Sequence, residues 1–264
     1  MPLTAKELFC LLFSALVHDY DHPGVNNNFL IQTNSPMALL YNDRSVLENH
    51  HVASALRLLL RPELNFLSGW AREEMAEVRS DIITLVLSTD LQVEHFSTLT
   101  HFKTLTSNPY WTEGCVEADP AGAMSHPSPP VMNKKDRVIV MKMLLKCADV
   151  ANPSKRWPIY SEWFARYTEE TFQQGDEERR LGLPISPLCD RSDVQLPKSQ
   201  LGFIEFITLP LYEALHQAVA IPALLDNLSS NHSYWQRVRD KVLAPPAAST
   251  SPPGPAASAT IIVE

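Results

Sequence analysis

At 264 residues and 45% hydrophobic content, the chain has enough apolar side chain to bury a sizeable core, in one large domain or two small ones. A net charge of −8 argues against a nucleic-acid or anionic-membrane partner, since either needs clustered Lys and Arg to neutralise phosphate. An anionic substrate would therefore depend on the local charge of a bound metal. Cys10, Cys115, Cys147 and Cys189 lie far apart with no CxxC pair, so they read as idle or buried thiols, not as a zinc or redox motif. The apolar run from Leu8 to Val17 is too short for a membrane span of about 20 residues. It also lacks a basic leader and a small-residue cleavage site, so a cytoplasmic protein without a membrane-spanning segment is expected.

Leu8, Leu11, Leu12, Ala15 and Leu16 recur at helical spacing and predict a buried helix that carries His18 and Asp19 at its end, stopped by Pro23-Gly24. Val25 to Asp43 reads as loop with a short helix around Met37 to Tyr41. Ser45-Val-Leu-Glu48 has the form of a capping box, opening a helix through Leu60 that Pro62 ends. Ser80 to Phe96 reads as a mostly buried helix or a strand core, and helix is taken because nothing nearby looks like a partner strand. Residues 105–133, crowded with Pro and Gly, predict a long mobile loop. Helices are expected again over Asp136 to Val150, with Asp149 at its end, over Trp157 to Leu181, and over Gln200 to Ala220 with a bend at Pro210. No convincing strand alternation or repeat appears, so the class is all-α: a domain over 1–243, followed by a Pro/Ala/Ser-rich tail, 244–264, expected to be disordered.

The chemistry concentrates at the front. His18, Asp19, His22, Glu48 and His51 gather five imidazole or acid groups in two nearby segments, with Glu48 and His51 on one helix face and His18 and His22 sharing another if that helix persists. Singly, each has an ordinary structural explanation: His22 ahead of Pro23 as a helix end, His50-His51 as surface imidazoles, Asp149 behind Lys146 as a cap or ion pair. Together, His18-Asp19 with the distant Asp149 supply mixed nitrogen and oxygen donors suited to zinc or another first-row metal. A shared carboxylate can serve two ions, an arrangement suited to displacement at a phosphate ester.

Five segments, in order, carry a resemblance: His-Asp-Tyr-Asp-His-Pro-Gly24, Tyr41 to His51, Leu87-Ser-Thr-Asp90, Cys147-Ala-Asp-Val-Ala-Asn-Pro153 and Lys198-Ser-Gln-Leu-Gly-Phe-Ile204. From about Leu8 to Trp235 the chain resembles the catalytic domain of class I 3′,5′-cyclic-nucleotide phosphodiesterases. The resemblance implies a compact multi-helix domain of the HD type with two divalent metals, Zn²⁺ and Mg²⁺ (or Mn²⁺). It implies His18, Asp19 and Asp149 as metal ligands, with Asp19 shared between the ions. His22, Glu48 and Thr89 would hold waters on the second ion and His51 would support them. Asn152, Gln200 and Phe203 would meet the purine, by polar contact, bidentate hydrogen bonding and stacking respectively. Taken by itself, Phe203 among Leu201, Ile204 and Phe206 reads as core.

The implied reaction is hydrolysis of cAMP, cGMP or both to the 5′-monophosphate in cyclic-nucleotide signalling, with a homodimer or a regulatory domain as the partner left open. Members of the family carry a His-Asn-x-x-His-Ala-x-Asp motif upstream, which supplies the general acid and a further zinc ligand. The first histidine here is His18, so no catalytic general acid is assigned and the expectation is an N-terminally truncated domain. The alternative is a catalytically impaired nucleotide-binding or regulatory module; a wider metal-dependent hydrolase is a third reading, disfavoured by Gln200 and Phe203.

Overall fold

The computed structural model describes residues 3–107, 132–192 and 195–243. Helix α1 (Ala5–Val17) opens on a reciprocal cap: Glu7 N–H donates to Thr4 Oγ1 (3.2 Å) while Thr4 N–H donates to Glu7 Oε2 (2.9 Å). Its inward stripe is Glu7, Cys10, Ser14 and Val17, at helical spacing. Leu8, Leu12 and Leu16, expected inside, are instead 47%, 61% and 80% exposed. Small residues at positions 10 and 14 let α1 lie close against its neighbours, and that choice of face turns the leucines outward.

The helix also ends earlier than periodicity predicts. Val17 is its last residue, His18 is the C-cap, and Asp21 adopts a left-handed conformation (φ 62°). His18 and His22 therefore do not share a helix face. Two short helices, α2 (Asn27–Gln32) and α3 (Pro36–Leu40), follow, the first of them in a stretch expected to be loop. Helix α4 (Val46–Leu59) matches expectation in extent, but Ser45 makes no capping bond. Its φ of 40° turns the hydroxyl away from the helix end, and it donates instead to Asp90 Oδ2 (2.7 Å).

The single helix expected over 80–96 is two, α5 (Arg72–Leu87) and α6 (Leu91–Thr106). The break has a local cause. Ser88 and Thr89 hydroxyls donate back to the carbonyls of Leu85 and Val86 (2.7 Å each), and Asp90 caps α6 through Gln92 N–H (2.9 Å). Residues 108–131 of the expected long loop, and the tail 244–264, lie outside the described residues.

Helix α7 (Lys134–Asp149) is followed by a 3₁₀ turn (Asn152–Ser154) and then α8 (Trp157–Arg180). The expected helix over 200–220 is α9 (Leu196–Phe203), a π turn (Ile204–Thr208) and α10 (Leu209–Ala218). Pro210 lacks the N–H that would close an α-helical bond onto Phe206, which accounts for the interruption. Helix α11 (Pro222–Leu243) ends the described chain.

All described elements are helical, and among them no helix is long and apolar enough to cross a membrane. Helix α7 organises the core. Met141 and Leu145 belong to the core cluster that holds Cys10, Val52, Ile82 and Leu85, while Met143 and Cys147 belong to the one that holds Tyr160, Leu211, Tyr212 and Trp235. A helix packed on two sides is rigidly held, and Asp149 is its last residue.

Arg137 of α7 donates to Glu7 Oε1 (2.6 Å), binding α1 to α7. Burial pushes the Glu7 carboxyl up, but Arg137 and the Thr4 donors outweigh it and hold it below its usual range. A depressed carboxylate stabilises the fold above the unfolded pKa and loses that contribution as pH falls through its folded pKa. Glu7→Gln is expected to cost roughly 2 kcal/mol at pH 7, read as a Tm about 4–8 °C lower, and the difference from wild type should close below about pH 4.

Candidate metal centre

Three groups far apart in sequence converge. His18 Nε2 lies 3.2 Å from Asp19 Oδ2 and 3.3 Å from Asp149 Oδ1, and donor atoms of the three residues fall within 4.8 Å of one another. His18 Nδ1 engages the carbonyl of Ala15 at 2.9 Å, so that nitrogen carries the proton of a neutral ring and Nε2 is left as the lone-pair donor. A cation with bonds of about 2.0–2.2 Å brings neighbouring ligand atoms to about 3 Å apart, so the N, O, O set fits a divalent ion in spacing and in chemistry. The carboxylates push the His18 imidazole up to about 10, Asp149 first and Asp19 next. Asp19 moves the other way: burial raises it, but His18 and the charges of His51 and His22 bring it below its usual value. A metal ion bound between the same groups would replace the proton, so affinity should fall with pH.

His51, and His22 through it, adjoin the trio. His51, 1% exposed, has Nδ1 against the Tyr20 carbonyl (2.7 Å) and Nε2 at 3.9 Å from Asp19 Oδ1. His22 stacks on it (centroids 5.5 Å) and accepts from Gly24 N–H through Nδ1. Glu48 accepts from Asn27 Nδ2 (3.1 Å), whose oxygen in turn accepts Leu47 N–H (2.8 Å) at the start of α4. Burial raises the Glu48 carboxyl, and the negative charges of Asp90 and Asp19 add to it. Thr89 sits at the α5–α6 break, its proton engaged by Val86.

Asn152 and Gln200 both meet Tyr160. Asn152 Nδ2 donates to the Tyr160 carbonyl (3.4 Å), and its Oδ1 is buried without a partner. Tyr160 O–H donates to Gln200 Oε1 (2.7 Å), and Trp235 Nε1–H donates to the Tyr160 oxygen (2.8 Å). Phe203 is half-buried against the larger core. Sequence reading missed Tyr160, Trp235, Asn27 and the Ser45–Asp90 bond. Nothing in local spacing could have shown them, since each acts across a packing interface and none belongs to a metal-binding residue type pattern.

Residues 2–230 match the family described as 3′5′-cyclic nucleotide phosphodiesterase. The 3′,5′-cyclic-AMP phosphodiesterase 4C of Rattus norvegicus is 40% identical over 236 residues, which is 88% of this chain and 41% of that protein. The 3′,5′-cyclic-AMP phosphodiesterase isoform F of Drosophila melanogaster is 39% identical, over 88% of this chain and 34% of its own length. The chain thus spans less than half of these curated relatives. Among solved structures, LmjPDEB1 in complex with IBMX superposes with a TM-score of 0.75 at 31% identity, covering 90% of this chain and 67% of that one. On the match across 2–230, the chain belongs to the 3′,5′-cyclic nucleotide phosphodiesterase family.

Proposed function

We propose that the chain is a cytoplasmic catalytic domain, formed by residues 1–243, that hydrolyses cAMP to the 5′-monophosphate, using Zn²⁺ and Mg²⁺ (or Mn²⁺). The observation that carries this is His18 Nε2 held between the carboxylates of Asp19 and Asp149 at 3.2 and 3.3 Å. Divalent ions there would supply Lewis acidity to the phosphoryl oxygens. His18, Asp19 and Asp149 would hold the ions; His22, Glu48 and Thr89 would order waters beside them, with His51 braced against the Tyr20 carbonyl to keep Asp19 aligned. In the net reaction water adds across the P–O3′ bond, the phosphorus taking hydroxyl and O3′ taking the proton.

Base choice follows from hydrogen-bond inventory. An indole N–H can only donate, so the Tyr160 oxygen accepts from Trp235 and its own proton goes to Gln200 Oε1. That fixes which end of the Gln200 amide faces Tyr160. Adenine offers a donor and an acceptor side by side at N6 and N7, whereas guanine offers two acceptors at O6 and N7, so an amide locked one way serves one purine better. The relatives named for cyclic AMP favour adenine. Tyr160→Phe releases the amide, and the cAMP-over-cGMP ratio of kcat/KM should fall roughly tenfold, measured on both substrates with Mg²⁺ or Mn²⁺ present. An unchanged ratio would remove the lock, and hydrolysis of neither substrate by wild type would remove the activity.

A further inference from the structure

Lys146 is 0% exposed, yet it carries an ammonium one helical turn before Asp149. Desolvating a lysine is costly, and an apolar side chain of similar volume is often as stable or more so in such a position. The ammonium donates to the carbonyl of Ser88, the C-cap of α5. Thr89 is the next residue, and Asp90 after it accepts from Ser45 at the head of α4, the helix that carries Glu48 and His51. Acids near the ammonium are Asp149, Glu94 and Asp90, but Glu94 is already paired with Lys142 at 2.5 Å. One buried cation therefore joins the helix bearing Asp149 to the turn bearing Thr89, and through Asp90 to α4.

We propose that Lys146 is a positioning residue of the metal centre: its bond to Ser88 sets the spacing between Asp149 on α7 and the Thr89 and Glu48 side of the site. This rests on the metal reading above. Position and charge make opposite forecasts. Removing a nearby positive charge alone would tighten binding of a cation, whereas releasing α7 from the α5–α6 turn would weaken it.

The test is calorimetric titration of the full chain with Mn²⁺ alone, for wild type, Lys146→Met and Lys146→Gln, each checked for folding by thermal melting. Methionine has similar length and neither donor nor charge; glutamine keeps an N–H donor without the charge. Lys146→Met should weaken Mn²⁺ binding by about 10- to 100-fold, as loss of supporting groups around a metal ligand does, while Lys146→Gln stays within a few-fold of wild type. Methionine binding as tightly as wild type or tighter, or glutamine losing as much as methionine, overturns the proposal. Should the methionine variant not fold, tenfold tighter binding by the glutamine variant overturns it, and near-wild-type binding supports it. Wild type that takes up no Mn²⁺ at all would instead sink the metal reading itself.

Discussion

Asp149→Ala is expected to abolish measurable hydrolysis and to weaken Mn²⁺ binding by more than about 100-fold, beyond the loss that follows removal of an outer supporting group. The carboxylate is one of three donors in the cluster and the only one arriving from the second half of the chain, at 3.3 Å from His18 Nε2. Titration with Mn²⁺ reads the binding loss directly and so keeps it separate from turnover. A variant that binds the ion as wild type does would refute Asp149 as a ligand. The metal-stripped proteins carry a second readout. Asp149, then Asp19, raise the His18 pKa to about 10 in the folded chain, well above the ordinary imidazole value of about 6.5. A raised histidine stabilises the fold fully below the unfolded pKa and loses that contribution as pH climbs through the folded value. The stability gap between wild type and Asp149→Ala should therefore be largest near pH 6 or lower and should narrow steadily toward about pH 10, followed by denaturant melts in EDTA.

Gly175→Ala is expected to be the most sterically damaging Gly→Ala change among the described residues. In a helix interior such a change ordinarily gains up to about 1 kcal/mol. Here an added Cβ would meet the Cys189 carbonyl oxygen at 1.8 Å and its carbon at 2.6 Å, and both are backbone atoms that cannot swing aside. The steric term wins. The segment pressed onto Gly175 also completes a buried network: Ser186 N–H and Oγ each donate to fully buried Glu178 at 2.6 Å, and Gln174 Nε2 donates to the same carboxylate at 2.8 Å. Gln174 Oε1 then accepts from Asn26 N–H (2.8 Å), in the loop that follows His22. Prying the segment away exposes Glu178 and loosens that loop. A loss of about 3–4 kcal/mol is expected, in the range of overpacking plus a broken buried polar network, or a Tm some 6–16 °C lower. A variant melting at or above wild type would show that the segment can shift without cost.

Much of the architecture was legible because helices leave periodic traces. The extents of α4, α7 and α8 follow from apolar spacing bounded by Pro, and the ends of α7 and α8 fall within a residue or so of expectation at Asp149 and Arg180. The errors arise where side-chain contacts, some local and some made far along the chain, override what hydropathy suggests. Ser45 has the form of a capping residue, but Asp90 takes its hydroxyl. Residues 80–96 look like one helix by hydropathy, but Ser88, Thr89 and Asp90 redirect their side chains to the backbone and split it. The leucine stripe of α1 is periodic, but the small residues on the opposite side decide which face is buried.

The residue types able to hold a metal, and the family to which they point, were present in the linear order of His18, Asp19 and Asp149, since donor chemistry belongs to the side chain itself. Tertiary structure alone decided that these three donors meet, that His51 is braced by the Tyr20 carbonyl, that Trp235 and Tyr160 orient Gln200, and that a buried lysine ties Asp149 to the α5–α6 turn. The reason is separation. Apart from that between the neighbours His18 and Asp19, these contacts close between segments distant in sequence, so their geometry is set by how the chain packs, which no local spacing encodes.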